Sequence, residues 1–194
     1  MDFDLSQDQR VMRDSLRQFL KRECPIEYVR QCDEAERFPH ELYEKLAREG
    51  WLGLPSAEEY GGTGGSCSDL AVFLEEFAGH FEAGANIYYT TIVIAADAIS
   101  HFGTEEQKRD LLPKLARGEI RSCFCMTEPS PGAGSDPSAL ATRAVPDGNH
   151  WVIDGEKWFI TGAQGAGFAI IMAADPDGHA TMFLADMNQP GIEI

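Results

Sequence analysis

The hydrophobic period of this chain changes at one place, Cys123–Asp136, and that change points to two structurally different halves. Upstream, apolar residues recur at helical spacing; downstream they fall in short runs separated by turn residues. The stretch itself changes halfway. Cys123–Met126 is a short apolar run, either a buried strand or a scrap of helix. Thr127–Asp136 then sets Pro129, Pro131, Gly132 and Gly134 among Thr, Ser and Asp. Proline fixes φ and glycine permits φ > 0, so this segment turns sharply and leaves backbone N–H groups pointing outward. Together with the hydroxyls of Thr127, Ser130 and Ser135, such groups suit polar ligand atoms, including a flavin ring edge or a phosphate. By composition alone the segment reads first as a surface connection between two domains.

Upstream, Ser6 is an N-cap for a helix carrying Val11, Met12, Leu16, Phe19 and Leu20, and Pro25 ends that helix or starts the next. Pro39 suits the first helical position of a segment with Leu42, Tyr43 and Leu46, stopped by Gly50. Glu59–Ser68 holds four glycines and reads as a loop. Its run Gly61-Gly62-Thr63-Gly64-Gly65 fits neither phosphate-binding glycine pattern, so it reads as structural. Ser66 or Ser68 caps an amphipathic helix through Leu70, Phe73 and Phe77. After Gly84, Ile87–Ser100 is apolar on nearly every side, as in a central helix. Gly103 fits a C′ position, and Thr104–Gln107 is a capping box opening a helix in which Pro113 should produce a kink or break. His40, His80 and His101 have no metal-ligand spacing and read as packing or surface residues.

Downstream, Ala139–Val145 and His150–Ile153 flank Pro146-Asp147-Gly148-Asn149 and read as a hairpin. Asp154-Gly155 is a two-residue turn signal that should return the chain into a strand over Glu156–Ile160. Phe168–Ala174 and Thr181–Asp186 flank a turn at Asp175–Gly178, and Pro190–Ile194 looks like the entry to another strand. On a strand, Trp158 and Phe159 face opposite sides, so that one packs inward while the other meets a planar ligand; the plainer reading makes both ordinary sheet aromatics. The fold class is therefore α+β: a helical domain over residues 1–121 and an antiparallel, incomplete β-domain over 122–194.

Composition narrows the function. A net charge of −16, with only Arg143 and Lys157 after Arg121, argues against a nucleic-acid binder, which needs a basic face. It does not exclude an anionic ligand such as a CoA ester in a local pocket. The five cysteines form no regular framework, which suits a reducing compartment. Cys123 and Cys125 alternate and should share one buried face. Met1–Leu5 has no signal-peptide pattern, and the apolar region Ala83–Ile99 is too interrupted for a membrane span. A cytoplasmic location is the expectation.

Two blocks carry a family resemblance. Met126-Thr127-Glu128-Pro129 with Gly132-Ala133-Gly134-Ser135-Asp136 resembles the flavin-binding signature of the acyl-CoA dehydrogenase family. Lys157-Trp158-Phe159-Ile160-Thr161-Gly162-Ala163 resembles that family's second flavin motif. The likeness extends to Glu59–Gly62 and Gly103–Lys108, and so covers essentially the whole chain. It implies FAD as cofactor, contacted by Phe124, Met126, Thr127, Ser135, Phe159, Ile160 and Thr161, the threonine near the reactive ring nitrogen. It also implies an acyl-CoA substrate, touched by Ser135 and by Ile87, Thr90 and Thr91 on the apolar helix; core burial explains that helix equally well. Most relatives carry tryptophan where this chain has Phe159, so a planar aromatic is kept and an indole donor is lost. Ser130-Pro131 reads as a two-residue insertion in the first motif, ahead of Ser135.

The resemblance implies dehydrogenation of an acyl-CoA thioester, with the α-proton taken by a carboxylate and the β-hydride passing to the flavin. An electron-transferring flavoprotein is the implied acceptor. A third, C-terminal helical bundle, which in the family carries the catalytic base and much of the oligomer interface, is absent from these residues. No glutamate here matches that base, and no metal ligand is expected. The chain alone is expected to be inactive, and to form a homo- or hetero-oligomer if completed. A non-catalytic fragment or interaction subunit, and a flavin oxidase or monooxygenase of the same fold, are the alternatives.

Overall fold

The structure is a computed structural model that describes residues 4–194. The leader-peptide reading rests partly on residues 1–3, which lie outside the described residues. The chain divides into two compact units, Met1–Glu119 and Ile120–Ile194.

The first unit is helical: α1 Gln7–Glu23, α2 Ile26–Glu34, α3 His40–Arg48, α4 Cys67–His80, α5 Glu82–Tyr88, α6 Ile94–Phe102 and α7 Glu105–Ala116. Three of these helices open on reciprocal caps, at Ser6, Ser66 and Thr104. Each such cap satisfies amides that a helix start leaves orphaned, worth about 1 kcal/mol. Two of the caps also meet. Gln9, which closes the Ser6 cap, donates through Nε2 to Asp69 Oδ1 at 2.9 Å, and Asp69 closes the Ser66 cap. The aromatic core lies between α4 and α5, where Phe73 packs on Tyr88 with ring centroids 4.7 Å apart and Phe77 packs edge-on against Phe73. The Tyr88 hydroxyl, buried with its ring, donates to the Trp51 carbonyl at 3.0 Å, so burial leaves no polar atom unmet there.

Two local expectations are corrected. Helix α7 runs through Pro113. The expected break is therefore absent: proline costs the bond to the carbonyl four residues back and crowds that carbonyl, while buried Leu112, Leu115 and Ala116 anchor the turn. Gly103 is not left-handed; its backbone is extended, at φ −70° and ψ 151°. It is needed for space, because a Cβ would lie 2.6 Å from the Ile99 carbonyl.

The glycine loop is folded on itself. The amides of Gly62, Thr63, Gly64 and Gly65 donate to the carbonyls of Ala57, Gly53, Ser56 and Leu54 at 2.8–3.1 Å. Its donors are thus used internally rather than offered to a phosphate.

The second unit is one five-stranded sheet: β1 Ser122–Cys125, β2 Arg143–Asp147, β3 His150–Asp154, β4 Phe168–Ala174 and β5 Ala180–Asp186. It is mixed, which corrects the antiparallel expectation. β2–β3 and β4–β5 are antiparallel hairpins, but β1 pairs with β4 in parallel from Ser122↔Phe168 to Cys125↔Ile171, and Arg143↔Ala174 joins β2 to β4 in parallel. A parallel pair needs a long crossover. Here the crossover carries both loops of interest and the β2–β3 hairpin. β4 is central and apolar throughout, as a strand covered on both faces should be. Cys123 and Cys125 do share one face, buried against Ala166 and Ala169.

Glu156–Ile160 is not a strand, and among the described residues none forms over Pro190–Ile194. Ala139 ends a short 3-10 turn, Pro137–Ala139, so β2 begins later than expected, at Arg143.

The glycine loop gives a direct test. A Cβ on Gly62 would sit 2.0 Å from the Ser56 carbonyl and 2.5 Å from that of Gly53, whereas one on Gly79, within α4, meets nothing within 4 Å. Gly62→Ala should destabilise by about 3 kcal/mol or more. Gly79→Ala should stabilise by about 0.5–1 kcal/mol. Urea unfolding midpoints of the two variants check both signs.

Candidate functional site

The second unit is organised around a buried charge. Glu128 is 5% exposed. Its Oε2 accepts from the amides of Ala133 (3.0 Å) and Ala141 (2.7 Å), and its Oε1 from the amide of Thr142 (2.9 Å) and from Lys157 Nζ (2.8 Å). The Glu128 amide in turn donates to the Ala133 carbonyl at 2.7 Å, closing the loop into a ring around its own carboxylate. Gly132 makes this closure possible, since a Cβ there would lie 2.5 Å from Glu128 Oε2. Burial opposes the charged form. The bonds from Lys157, Thr142 and the amides of Ala141 and Ala133 outweigh it and hold the carboxyl well below the usual carboxylate range.

Lys157 links this loop to the second one. Its ammonium also donates to the Met126 carbonyl at 3.0 Å, and the next amide, that of Trp158, donates to the Thr127 carbonyl at 3.0 Å. These bonds replace the ladder expected for Glu156–Ile160. They also change the aromatic geometry. Phe159 has φ 55°, a left-handed conformation uncommon outside glycine. Trp158 and Phe159 therefore do not alternate across a sheet. Both rings stand exposed with centroids 4.5 Å apart, and Phe159 is 81% exposed.

The seven flavin candidates are distributed unevenly. Thr127 lies against the Trp158 backbone, and Phe159 and Thr161 are exposed on the same loop. Ser135 is exposed on the far limb of the first loop. Two candidates anchor their loops inward: Met126 packs on Ala133, Leu140 and Ala174, and Ile160 packs on the Cys123–Cys125 face. Phe124, half-buried, lies on the β1 face opposite those cysteines.

The substrate candidates Ile87, Thr90 and Thr91 belong to the helical unit. There α5 passes into α6 through a π-turn, Tyr89–Val93. Thr90 Oγ1 donates to the Asn86 carbonyl at 2.8 Å and Thr91 Oγ1 to the Ile87 carbonyl at 2.7 Å. The widened turn leaves carbonyls for hydroxyls to bond. Thr91 is fully buried, so its hydroxyl serves the helix, while Ile87 and Thr90 are half-buried.

Asp175, Asp177 and His179 cluster in the β4–β5 turn. Asp175 Oδ1 accepts from the amides of Asp177 (3.0 Å) and His179 (2.8 Å), which makes it a turn cap.

Sequence reasoning did not assign Glu128 or Lys157 a role. One signal was present: Lys157 is the sole lysine after Lys114 and stands in an otherwise apolar run.

Comparison with known proteins agrees with this layout. The family model described as acyl-CoA dehydrogenase, N-terminal domain, matches residues 6–119, and that of the middle domain matches residues 123–194. The probable acyl-CoA dehydrogenase YngJ of Bacillus subtilis is 33% identical over 199 aligned positions, which span 100% of this chain and 52% of the relative. The short-chain specific acyl-CoA dehydrogenase of Clostridium acetobutylicum is 38% identical, over 89% of this chain and 45% of its own. A crystal structure of a glutaryl-CoA dehydrogenase from Mycobacterium smegmatis in complex with FADH2 superposes with TM-score 0.87 at 29% identity, over 96% of this chain and 47% of that one. The chain thus spans about half the length of the curated relatives it matches.

The Glu128 network has a defined pH signature. A carboxyl whose folded pKa lies below its unfolded value stabilises fully above the unfolded value, and that stabilisation is lost as pH falls through the folded one. Glu128→Gln should cost about 3–5 kcal/mol at pH 7, because it leaves Lys157 buried beside a neutral amide. The gap between variant and wild type should narrow as pH falls below the ordinary carboxylate range. Urea midpoints at pH 7 and pH 3 measure it.

Proposed function

The chain belongs to the acyl-CoA dehydrogenase family, and from that premise we propose that it forms the flavin-facing portion of an FAD-dependent acyl-CoA dehydrogenase. The observation that carries the reading is the union of the two loops: the Trp158 amide on the Thr127 carbonyl, 3.0 Å, sets an exposed aromatic pair beside a turn rich in hydroxyls. A planar, apolar ring with polar edges fits that surface. Phe159 and Trp158 offer faces, Thr127 and Thr161 offer hydroxyls on the same two loops, and Ser135 offers one on the far limb of the first. Phe124, Met126 and Ile160 complete the proposed contact set, the last two chiefly by fixing where their loops run.

FAD, when bound, supplies a two-electron acceptor for dehydrogenation of the Cα–Cβ bond of an acyl-CoA thioester. The chain's own residues orient the ring through Phe159, hold a hydroxyl at Thr161 toward its edge, and hold Thr127 and Ser135 on the opposite limb. Ile87 and Thr90 are proposed to meet the acyl chain; Thr91 would act through the helix backbone. The base that takes the α-proton is not assigned to any residue of this chain. An electron-transferring flavoprotein is the proposed acceptor, fatty acid metabolism the proposed setting, and a homo- or hetero-oligomer the proposed assembly. No described helix is long and apolar enough to cross a membrane. All five cysteines are free, in keeping with the reducing, cytoplasmic location proposed.

Fluorescence titration of FAD into the purified chain should reveal weak, saturable binding. Phe159→Ala should weaken it about three- to tenfold, the effect of an aromatic contact of about 0.5–1.5 kcal/mol. Phe102→Ala, an equally open aromatic in the helical unit, should leave it unchanged. Acyl-CoA-dependent dye reduction by the chain alone should be absent. Absence of FAD binding favours a non-catalytic module instead, and robust dye reduction reveals a base among these residues.

A further inference from the structure

The two loops of the proposed site are separated by a hairpin in sequence, and they are joined by one backbone bond, Trp158 N–H to the Thr127 carbonyl, and by one side chain beside it. Lys157 Nζ bonds the Glu128 carboxylate at 2.8 Å and the Met126 carbonyl at 3.0 Å, so it grips the residues on both sides of Thr127. Its immediate neighbours, Trp158 and Phe159, carry the exposed rings. The side chains of Lys157 and Glu128 are 11% and 2% exposed, so neither head group presents itself to a ligand. A buried ion pair of this kind is poor evidence of net stability, because desolvation offsets much of the attraction. Its use lies in geometry. The carboxylate is immobilised by three amides, and the ammonium has two fixed acceptors.

We propose that Lys157, acting through Glu128 and the Met126 carbonyl, is the positioning residue that makes the two loops a single binding surface, setting the spacing between Thr127 on one and Phe159 and Thr161 on the other. The inference rests on the reading of this surface as a flavin site. It assigns no contact between Lys157 and the ligand. Arginine is not an equivalent here: the two acceptors at 2.8 and 3.0 Å meet a single point donor, whereas a guanidinium presents a planar fork of donors.

The test separates holding the loops from holding the fold. Lys157→Met leaves the Glu128 charge without its partner, so the chain should lose stability. The double variant Glu128→Gln/Lys157→Met removes that uncompensated charge, so its urea midpoint should recover part of the way toward wild type, the glutamine oxygen keeping the Ala133 and Ala141 donors while its NH2 cannot accept from Thr142. If Lys157 positions the loops, the recovered double variant still exchanges its Trp158 amide at least about tenfold faster, and still binds FAD at least about tenfold more weakly, as loss of a supporting shell commonly produces. Lys157→Arg should resemble the double variant in FAD affinity rather than rescue it. A folded double variant with wild-type Trp158 exchange and wild-type FAD affinity overturns the proposal, as does full rescue by arginine. Should the wild-type chain take up no FAD, the flavin reading fails. The Trp158 exchange measurement then decides by itself, and unchanged exchange overturns the role of Lys157.

Discussion

A carboxylate taken out of water must be given donors, and around Glu128 that requirement shapes the whole second unit. Three of its four partners are backbone amides at positions 133, 141 and 142, and the fourth is the Lys157 ammonium. Satisfying them fixes where the chain enters β2, since Thr142 immediately precedes Arg143. It also fixes where the segment after β3 must run, because Lys157 lies three residues beyond Asp154. An unmet group here would cost several kcal/mol, more than any single apolar contact nearby contributes. Small residues fill one face of β1 and its neighbour: Cys123 and Cys125 pack with Ala169 of β4 and with Ala166 just before that strand.

Much of this was legible. The helical half announced itself through its caps, because Ser6, Ser66 and Thr104 each precede a residue able to answer three positions later. The hairpin turns at Gly148 and Gly178 were legible for a similar reason: both glycines are left-handed, at φ 59° and 86°. What was not legible depends on partners remote in sequence. The continuous apolar run of β4 was a signal for a strand covered on both faces, but nothing local to it names β1 as a parallel neighbour. Glu156–Ile160 has strand composition, and only the pull of Glu128 and the Met126 and Thr127 carbonyls explains why it forms no ladder. The opposed placement of Trp158 and Phe159 failed with it, for a period-two argument applies only to a strand. The glycine loop was read correctly as structural, although the reason, amides already spent on Gly53, Leu54, Ser56 and Ala57, required coordinates.

The helical unit has a different economy, in which aromatic packing rather than a buried charge sets the geometry. Trp51, Phe73, Phe77 and Tyr88 form one contiguous stack, and the helix that supplies Tyr88 passes straight into the π-turn at Tyr89–Val93. A π-turn contains one residue more than an α-turn needs, usually traceable to a single inserted position. The extra residue is absorbed locally, with Thr90 and Thr91 bonding the carbonyls of Asn86 and Ile87. Deleting one residue between 89 and 93 would therefore let the helix regain uniform pitch while Tyr88 on one side and Ile99 on the other kept their buried faces. Chain length at this point is a discrete adjustment: it would shift the exposed and half-buried Tyr89 and Thr90 and repack the buried Thr91, Ile92 and Val93, while sparing the core at either end. A change of one residue in this span would thus be confined to one turn, whereas an insertion within a regular helix would turn every following side chain by about 100° away from its packing partners.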